Sequence, residues 1–176
     1  MSREPLVSIV TPCYNGAAYV DRFFETVMDQ TWPHIELIFV DDGSTDDTLA
    51  KAEAWRKRLE ARGITFKLLT HPNGGQASAI NVGLPHVTGK YVMWPDSDDL
   101  MDPKNVELKA RYLEGHPEKG SSSATLPAST KTTSAPLFAV PFSTTRAIAS
   151  STRLSGKRRR LLFRHSVSCS RRRPLR

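Results

Sequence analysis

The stretch Trp94–Leu100 carries three carboxylates within four residues, those of Asp96, Asp98 and Asp99. It follows the apolar run Tyr91–Trp94, which is typical of a buried β-strand. Carboxylates this close repel one another, and their charge is costly unless water or a cation neutralises it. Hard divalent cations take oxygen ligands, and Mg²⁺ binds one or two carboxylates together with substrate phosphates. The stretch therefore fits a metal site, and it also fits a solvated acidic turn that caps the next helix.

A second acidic cluster lies upstream in the same kind of place. The apolar run Ile35–Val40 predicts another buried strand, and Asp41 and Asp42 come directly after it. Asp41 could serve as a ligand-binding group or as a partner for the dipole of the following helix. Because the carboxyl ends of parallel strands share one edge of a sheet, we expect the two clusters to converge.

The elements that position these clusters alternate along the chain. Apolar β-rich runs predict strands over 6–11, 35–40, 64–69 and 91–94, and Pro12 is expected to end the first. The first helix is predicted from apolar residues that recur at helical spacing: Tyr19, Val20, Phe23, Phe24, Val27 and Met28. Three further helices are predicted to end near residues 62, 84 and 114. This alternation predicts an α/β fold with a parallel sheet and helices on both faces.

Charge divides the chain into two parts. Residues 121–176 hold 12 of the 25 Lys and Arg residues and none of the 18 Asp and Glu residues, although the whole chain has a net charge of +7. This segment is rich in Ser, Thr, Pro and Arg and lacks periodicity, which predicts a disordered, low-complexity tail. One hypothesis is that the segment is read out of frame. Its basic runs also suggest nucleic-acid binding, an interpretation that we disfavour against that of a solvated segment.

Cysteine usage and hydropathy indicate a compartment. Cys13 and Cys169 are the two cysteines and lie in opposite parts of the chain, which predicts reducing conditions and no disulfide framework. The sequence shows neither an apolar signal region at its start nor a run of 18 apolar residues. We expect a cytoplasmic protein, with peripheral contact at the inner face of a membrane as a further possibility.

Four motifs in order resemble family 2 glycosyltransferases. They are the run Val7–Gly16, the Val40–Asp46 turn, the Asn73–Gly83 segment, and Gly89–Asp99 with its Asp-x-Asp pattern. The resemblance covers about residues 5–118 and implies the nucleotide-sugar-binding half of a GT-A fold. On this interpretation residues 1–120 form that region, and residues 121–176 form a tail that does not resemble the acceptor-binding half.

The resemblance implies roles for individual residues. Pro12 and Tyr14 are expected to line the base and ribose, and Asp41 to accept a hydrogen bond from the N–H of uracil or thymine. Asp42 is expected to shape the same wall. Asp96 and Asp98 form the Asp-x-Asp that contacts ribose and holds Mg²⁺ or Mn²⁺ on the diphosphate, with Asp99 as a further candidate ligand. The remaining nucleotide-sugar-binding residues that the resemblance implies are Gly75, Gln76 and Asn81.

The implied activity is metal-dependent, inverting transfer of a sugar from a UDP- or dTDP-sugar to a hydroxyl of a glycan, lipid or protein, for a cell-surface polysaccharide or glycolipid. Such transfer needs a general base, which the resemblance places in the second half of the domain. Glu118 is the last acidic residue of this chain, and we expect it to lie away from the cleft. Transfer by the 176-residue chain is therefore expected to be weak or absent, and a non-catalytic nucleotide-binding module is the alternative.

Overall fold

The computed structural model describes residues 4–122 and 136–139. Within these residues, six strands form one mixed sheet in the order β3-β2-β1-β4-β6-β5. The strands are β1 Val7–Cys13, β2 Ile35–Asp41, β3 Thr65–Thr70, β4 Tyr91–Met93, β5 Ser121–Ser122 and β6 Leu137–Ala139. Strands β3, β2, β1 and β4 are parallel, whereas β6 runs antiparallel to β4 and to β5. The α/β fold with a parallel sheet is thus confirmed, with two short antiparallel strands added at one side.

Strand β1 continues through Pro12, so the prediction that this proline ends the strand is wrong. Pro12 pairs with Val40 of β2 on one side. On the other side the register between β1 and β4 extends only to Ile9. Beyond Ile9 the central strand has a neighbour on one side only, which leaves room for a residue without an N–H donor. The strand consequently reaches Cys13 and delivers the following loop to the edge of the sheet.

In the described part of the chain, five α-helices pack on the two faces of the sheet: α1 Val20–Met28, α2 Thr48–Ala54, α3 Arg56–Ala61, α4 Gln76–Gly83 and α5 Asn105–Gly115. The larger core contains a group of aromatic rings centred on Phe24, which contacts Phe39, Trp55 and Phe66. The smaller core lies on the other face and includes Ala79 of α4. Helices on both faces are therefore confirmed.

One glycine lets helix α4 pack against the sheet without an intervening side chain. A Cβ atom at Gly83 would lie 2.5 Å from Cγ1 of Val10, which is closer than side-chain atoms approach one another. The absence of a side chain at Gly83 therefore lets the helix backbone approach β1. Since α4 begins at Gln76, this contact also sets the position of the residues at its other end.

The amino-terminal ends of the strands are joined by a buried carboxylate. Glu36 accepts hydrogen bonds from Ser8 Oγ at 2.5 Å, from Thr88 N–H at 2.6 Å and from Gly89 N–H at 3.2 Å, and it pairs with Lys67 Nζ at 3.1 Å. Burial alone would raise the pKa of Glu36, but these donors outweigh it and hold the pKa below the usual glutamate value. The four contacts tie β1, β2, β3 and the turn before β4 together.

Most of the segment 121–176, which the sequence predicts to be a disordered tail, lies outside the described residues. The interpretations of this segment as out of frame or as nucleic-acid-binding also fall on residues 123–135 and 140–176, outside the description. The pieces that are described, strands β5 and β6, extend the sheet of the domain. Within residues 4–122 and 136–139, no helix has the length and apolar character needed to cross a bilayer.

Candidate functional site

A cavity of about 260 Å³ opens at the carboxyl-terminal edge of the parallel strands. Its walls come from the end of β1 with the loop that follows, from the residues directly after β2 and β4, and from the first residue of α4. The lining consists of Pro12, Cys13, Tyr14, Asn15, Gly16, Tyr19, Asp42, Gln76, Asp96, Ser97 and Asp98. Parts of the chain more than eighty residues apart in sequence thus meet in one hollow, as expected for a parallel sheet of this kind.

Asp42 fixes the glycine-rich loop to the end of β2. Its Oδ1 accepts a hydrogen bond from Gly74 N–H at 2.9 Å, and its Oδ2 accepts one from Gly75 N–H at 2.8 Å. His71 Nε2 lies 2.9 Å from Oδ1, a distance that gives an ion pair when the ring is protonated. The same turn needs the positive φ of 72° at Gly43, where a Cβ would also lie 2.7 Å from Asn73 N. Asp42 therefore shapes this wall of the cavity, although the residue is only 3% exposed and both of its carboxylate oxygens accept backbone hydrogen bonds.

Asp41 does not line the cavity, although it directly precedes Asp42. Side chains alternate between the two faces along a strand, so neighbouring carboxylates at the end of β2 point to different sides. Asp41 is 3% exposed, and its Oδ2 accepts a hydrogen bond from Ser44 N–H at 3.2 Å. Its Oδ1 is buried without a hydrogen-bond partner among the described residues. The expected contact of Asp41 with the base therefore stays a prediction, and Asp42 is the carboxylate on the wall.

Tyr14 stands at the rim on a loop that is held by its backbone. Asn15 N–H donates to Ser44 Oγ at 2.9 Å, and Gly16 N–H donates to Thr48 Oγ1 at 2.9 Å. The Tyr14 side chain itself remains 52% exposed. A fixed backbone with a free ring offers a flat apolar surface to a ligand at little entropic cost.

The acidic loop after β4 supplies Asp96 and Asp98 to the opposite wall. Gln76 Nε2 donates a hydrogen bond to Asp96 Oδ1, and Asp99 N–H donates to the Asp96 carbonyl oxygen at 3.2 Å. Partial burial of Asp96, followed by repulsion from Asp99 and Asp98, raises the pKa of Asp96. None of the ion pairs found in the described residues involves these three carboxylates.

The carboxylates of this loop suit a hard divalent cation whose remaining coordination positions are filled by a bound ligand. Among the described residues no cationic side chain pairs with these carboxylates, and a cation would relieve the repulsion that Asp98 and Asp99 exert on Asp96. In the part of the chain that the structure describes, no three His, Cys, Asp or Glu side chains converge closely enough to hold a metal by themselves. Mg²⁺ and Mn²⁺ sites with few protein ligands take the remaining oxygens from water and phosphates, so the arrangement favours a phosphate-bearing ligand over a closed protein site.

The structure brings together six of the residues that the sequence analysis assigns to the site. These six are Pro12, Tyr14, Asp42, Gln76, Asp96 and Asp98. Gly75 lies behind the wall as a donor to Asp42, and Asn81 is exposed further along α4. Asp99 forms the turn next to Asp96 and is not part of the lining. Glu118, expected to lie away from the cleft, is likewise not among the lining residues.

Five further residues line the cavity that were not predicted from the sequence: Cys13, Asn15, Gly16, Tyr19 and Ser97. Burial raises the pKa of the Cys13 thiol, which also contacts Ser97 and so joins the end of β1 to the acidic loop. Tyr19 is 55% exposed, although its spacing placed it in the apolar stripe of α1. Its position one residue before the helix, close to an Asn-Gly turn, was the available signal that its ring need not face the core.

Comparison with known sequences identifies relatives that share this part of the chain. A hyaluronan synthase of Pasteurella multocida is 38% identical over 108 residues, which is 61% of this chain and 11% of that protein. A putative teichuronic acid biosynthesis glycosyltransferase of Bacillus subtilis is 36% identical over 110 residues, 62% of this chain and 42% of that protein. The chain therefore spans less than half the length of either relative.

Two solved structures share the fold. A mannosyltransferase of Pyrobaculum calidifontis in complex with GDP-Man and Mn²⁺ superposes with a TM-score of 0.68 at 22% identity, covering 78% of this chain and 45% of that one. S. aureus TarS in complex with UDP-GlcNAc superposes with a TM-score of 0.61 at 25% identity, covering 71% and 36%. Both matches support a GT-A-like α/β domain.

The family model described as glycosyl transferase family 2 matches residues 8–173. This match extends well past residue 118, where the resemblance recognised from the four motifs ends. Together with the shared fold, it shows that the chain belongs to glycosyltransferase family 2.

Proposed function

We propose that the cavity binds a nucleoside diphosphate sugar together with a divalent cation, and that the chain serves the transfer of that sugar to an acceptor hydroxyl. The observation that carries this proposal is the meeting of Asp42 with Asp96 and Asp98 around one hollow at the carboxyl edge of the sheet. A solvated acidic turn, the alternative for the loop after β4, does not account for a shared cavity with the end of β1 and the start of α4.

The two walls suit the two ends of such a donor. We assign the base and ribose to the side formed by Pro12, Tyr14 and Asp42, where the exposed Tyr14 ring stands beside the carboxylate that holds the glycine-rich loop. Asp41 directly precedes Asp42, and its Oδ1 has no hydrogen-bond partner among the described residues. We propose that this oxygen contacts the base when the loop that covers it moves on binding. The opposite side is proposed to contact the same ribose through Asp96 and to hold the diphosphate through a cation on Asp98.

A bound Mg²⁺ or Mn²⁺ would neutralise the negative charge that develops on the departing nucleoside diphosphate. The chain's own residues keep the site ready for this chemistry. Gln76 orients Asp96 from the start of α4, and the turn at Asp99 holds the loop compact. We propose inversion at the anomeric carbon, which requires a general base near the acceptor, and we assign that base to none of the residues that line the cavity.

The relatives indicate the product class. Two of them are described as a hyaluronan synthase and a teichuronic acid biosynthesis glycosyltransferase, so we propose a role in making a cell-surface polysaccharide or glycolipid. An acceptor of this kind would bring the protein to a membrane surface. Among donors we propose a UDP- or dTDP-sugar, while the GDP-Man complex of one structural neighbour makes guanosine the alternative base to test.

Isothermal titration calorimetry of the 176-residue chain tests donor binding. UDP, dTDP and GDP are each titrated with Mn²⁺ and with EDTA, and UMP is the matched control because it lacks the second phosphate. We expect Mn²⁺ to tighten UDP or dTDP binding by at least about tenfold, equivalent to about 1.4 kcal/mol, and to leave UMP binding unchanged. The absence of binding by all three diphosphates, or equal affinities with Mn²⁺ and EDTA, would contradict the proposal.

Sugar transfer is measured separately, by release of nucleoside diphosphate from UDP-sugars in the presence of oligosaccharide acceptors. Turnover that requires Mn²⁺ would support the glycosyltransferase over the non-catalytic nucleotide-binding module. Metal-dependent binding without turnover would favour the module. The expectation from the sequence that transfer is weak is decided by the same measurement.

A further inference from the structure

We infer that Phe138, a residue of β6 that lies forty residues beyond the acidic loop, is a positioning residue for the metal-binding end of the site. This inference rests on the proposed function, because it concerns the cation that Asp96 and Asp98 would hold. The direct observation is a ring stack: Phe138 and Trp94 have centroids 4.6 Å apart and ring planes 5° apart. Trp94 is separated from Asp96 only by Pro95.

The acidic loop leaves the sheet without a strand partner on the β1 side. Strand β4 ends at Met93, and its register with β1 stops at the pair formed by Ile9 and Met93. The course of the chain after Met93 therefore depends on side-chain contacts. Trp94 is the first residue after β4 whose side chain could fix this course. Among the described residues its large ring has one aromatic neighbour, the ring of Phe138.

Strand pairing places Phe138 where it can hold that ring. Phe138 is the register partner of Val92 in the antiparallel pair of β4 and β6. Trp94 is two residues further along, and aromatic side chains reach one another across such a diagonal. Val92 is part of the smaller core, and both Trp94 and Phe138 pack against it. The stack consequently joins the acidic loop to the core beneath α4.

Two other contacts hold the loop beyond Trp94. Gln76 donates to Asp96, and Ser97 contacts the Cys13 thiol. Gln76 holds the loop from α4 and Cys13 holds it from β1. The ring stack holds the residue at which the loop begins. Loss of the Phe138 ring removes the stacking contact from one face of Trp94. The loop can then take other directions, and the spacing of Asp96 and Asp98 around a cation is no longer fixed.

The neighbouring residue provides a matched control. Leu137 precedes Phe138 on the same strand, is fully buried, and packs in the larger core on the opposite face of the sheet. Leu137→Val weakens the attachment of β6 without touching Trp94. Phe138→Leu removes the ring and keeps an apolar side chain, whereas Phe138→Tyr keeps the ring and adds a hydroxyl group at a half-buried position.

The experiment measures the Mn²⁺ gain of the full chain, defined as the ratio of the UDP dissociation constants in EDTA and in Mn²⁺, together with the melting temperature. We expect Phe138→Leu to reduce the Mn²⁺ gain about tenfold, as is typical when an outer partner of a metal ligand is lost. Phe138→Tyr should retain the gain of the wild type. Leu137→Val should lower the melting temperature at least as much as Phe138→Leu and leave the gain unchanged.

Three results would overturn the inference. An unchanged Mn²⁺ gain in Phe138→Leu would show that the ring does not position the loop. An equal loss in Leu137→Val would show that β6 acts only through stability, and a full loss in Phe138→Tyr would show that the ring stack is not the operative contact. A wild-type chain that binds UDP without any Mn²⁺ gain is a different result, because it contradicts the proposed metal site itself.

Discussion

Carboxylates lie at both ends of the parallel strands, but their surroundings shift their pKa values in opposite directions. At the amino-terminal end, Glu36 is almost fully buried and receives hydrogen bonds from Ser8 and Thr88 and a charge from Lys67. At the carboxyl-terminal end, Asp96 has two carboxylates as neighbours and a single amide donor. The pKa of Glu36 lies below the usual value, and that of Asp96 lies above it.

The difference separates a structural carboxylate from one that is arranged for a ligand. A buried carboxylate that the protein itself supplies with hydrogen-bond donors and a cationic partner needs no ligand. It contributes to stability while it remains ionised. A group of like charges at a cavity, without a cation beside it, costs stability in the free protein and gains it when a cation binds. We therefore expect substitutions at the amino-terminal end to change folding and substitutions at the carboxyl-terminal end to change binding.

The largest effect is expected at Glu36. In Glu36→Gln the amide NH₂ faces other donors, and Lys67 loses the carboxylate that it pairs with, so the free energy of unfolding should fall by about 3 kcal/mol. Urea unfolding followed by circular dichroism measures it. The exposed Glu53, which pairs with Arg56 on the surface, provides the control, because Glu53→Gln should leave the free energy of unfolding nearly unchanged. Equal losses for both variants would refute the structural role of Glu36.

A somewhat smaller effect, on binding, is expected at Asp98. Asp98→Asn should weaken UDP binding in Mn²⁺ about thirtyfold, or about 2 kcal/mol, and should not lower the melting temperature because a repulsion is removed. Calorimetry in Mn²⁺ and in EDTA separates the metal-dependent part. Asp29→Asn makes the same change of charge at an exposed site outside the cavity and should bind like the wild type. A variant of Asp98 with unaltered affinity would exclude this residue as a metal ligand.

The smallest effect is the loss of stability on mild acidification. Because the pKa of Glu36 is lower in the folded than in the unfolded state, the unfolded chain binds more protons once the pH approaches the usual glutamate value of 4.5. The contribution of Glu36 is thus present above that pH and is lost as the pH falls towards the folded pKa. Urea unfolding of the wild type between about pH 6 and pH 3 should show a steeper decline than that of Glu36→Gln. Parallel declines would indicate that other groups cause the loss.

Periodicity and order along the chain were enough to predict the four parallel strands and the edge at which the site lies. Two features depended on tertiary contacts that no local pattern encodes. Strand β1 runs past Pro12 because its β4 neighbour ends early, and Tyr19 turns its ring to the cavity although its spacing belongs to the apolar stripe of α1. The pairing of Phe138 with Val92 joins residues 46 positions apart, in a segment whose composition suggested disorder.

The residues that line the cavity could be predicted only in part. The acidic loop and Asp42 followed from the ends of strands, whereas which of Asp41 and Asp42 lines the cavity depends on the face that each side chain takes at the end of β2. A sequence pattern with two adjacent aspartates does not decide that question, because a shift of one residue at the strand end exchanges their faces.

The most direct test is a crystal structure of the chain with UDP and Mn²⁺, in which anomalous scattering locates the manganese. We expect a manganese peak within coordination distance of Asp98 or Asp96 and next to the diphosphate, with the uracil beside Tyr14 and Asp42. Manganese or nucleotide bound outside the cavity between these residues, with the acidic loop free of both, would contradict it.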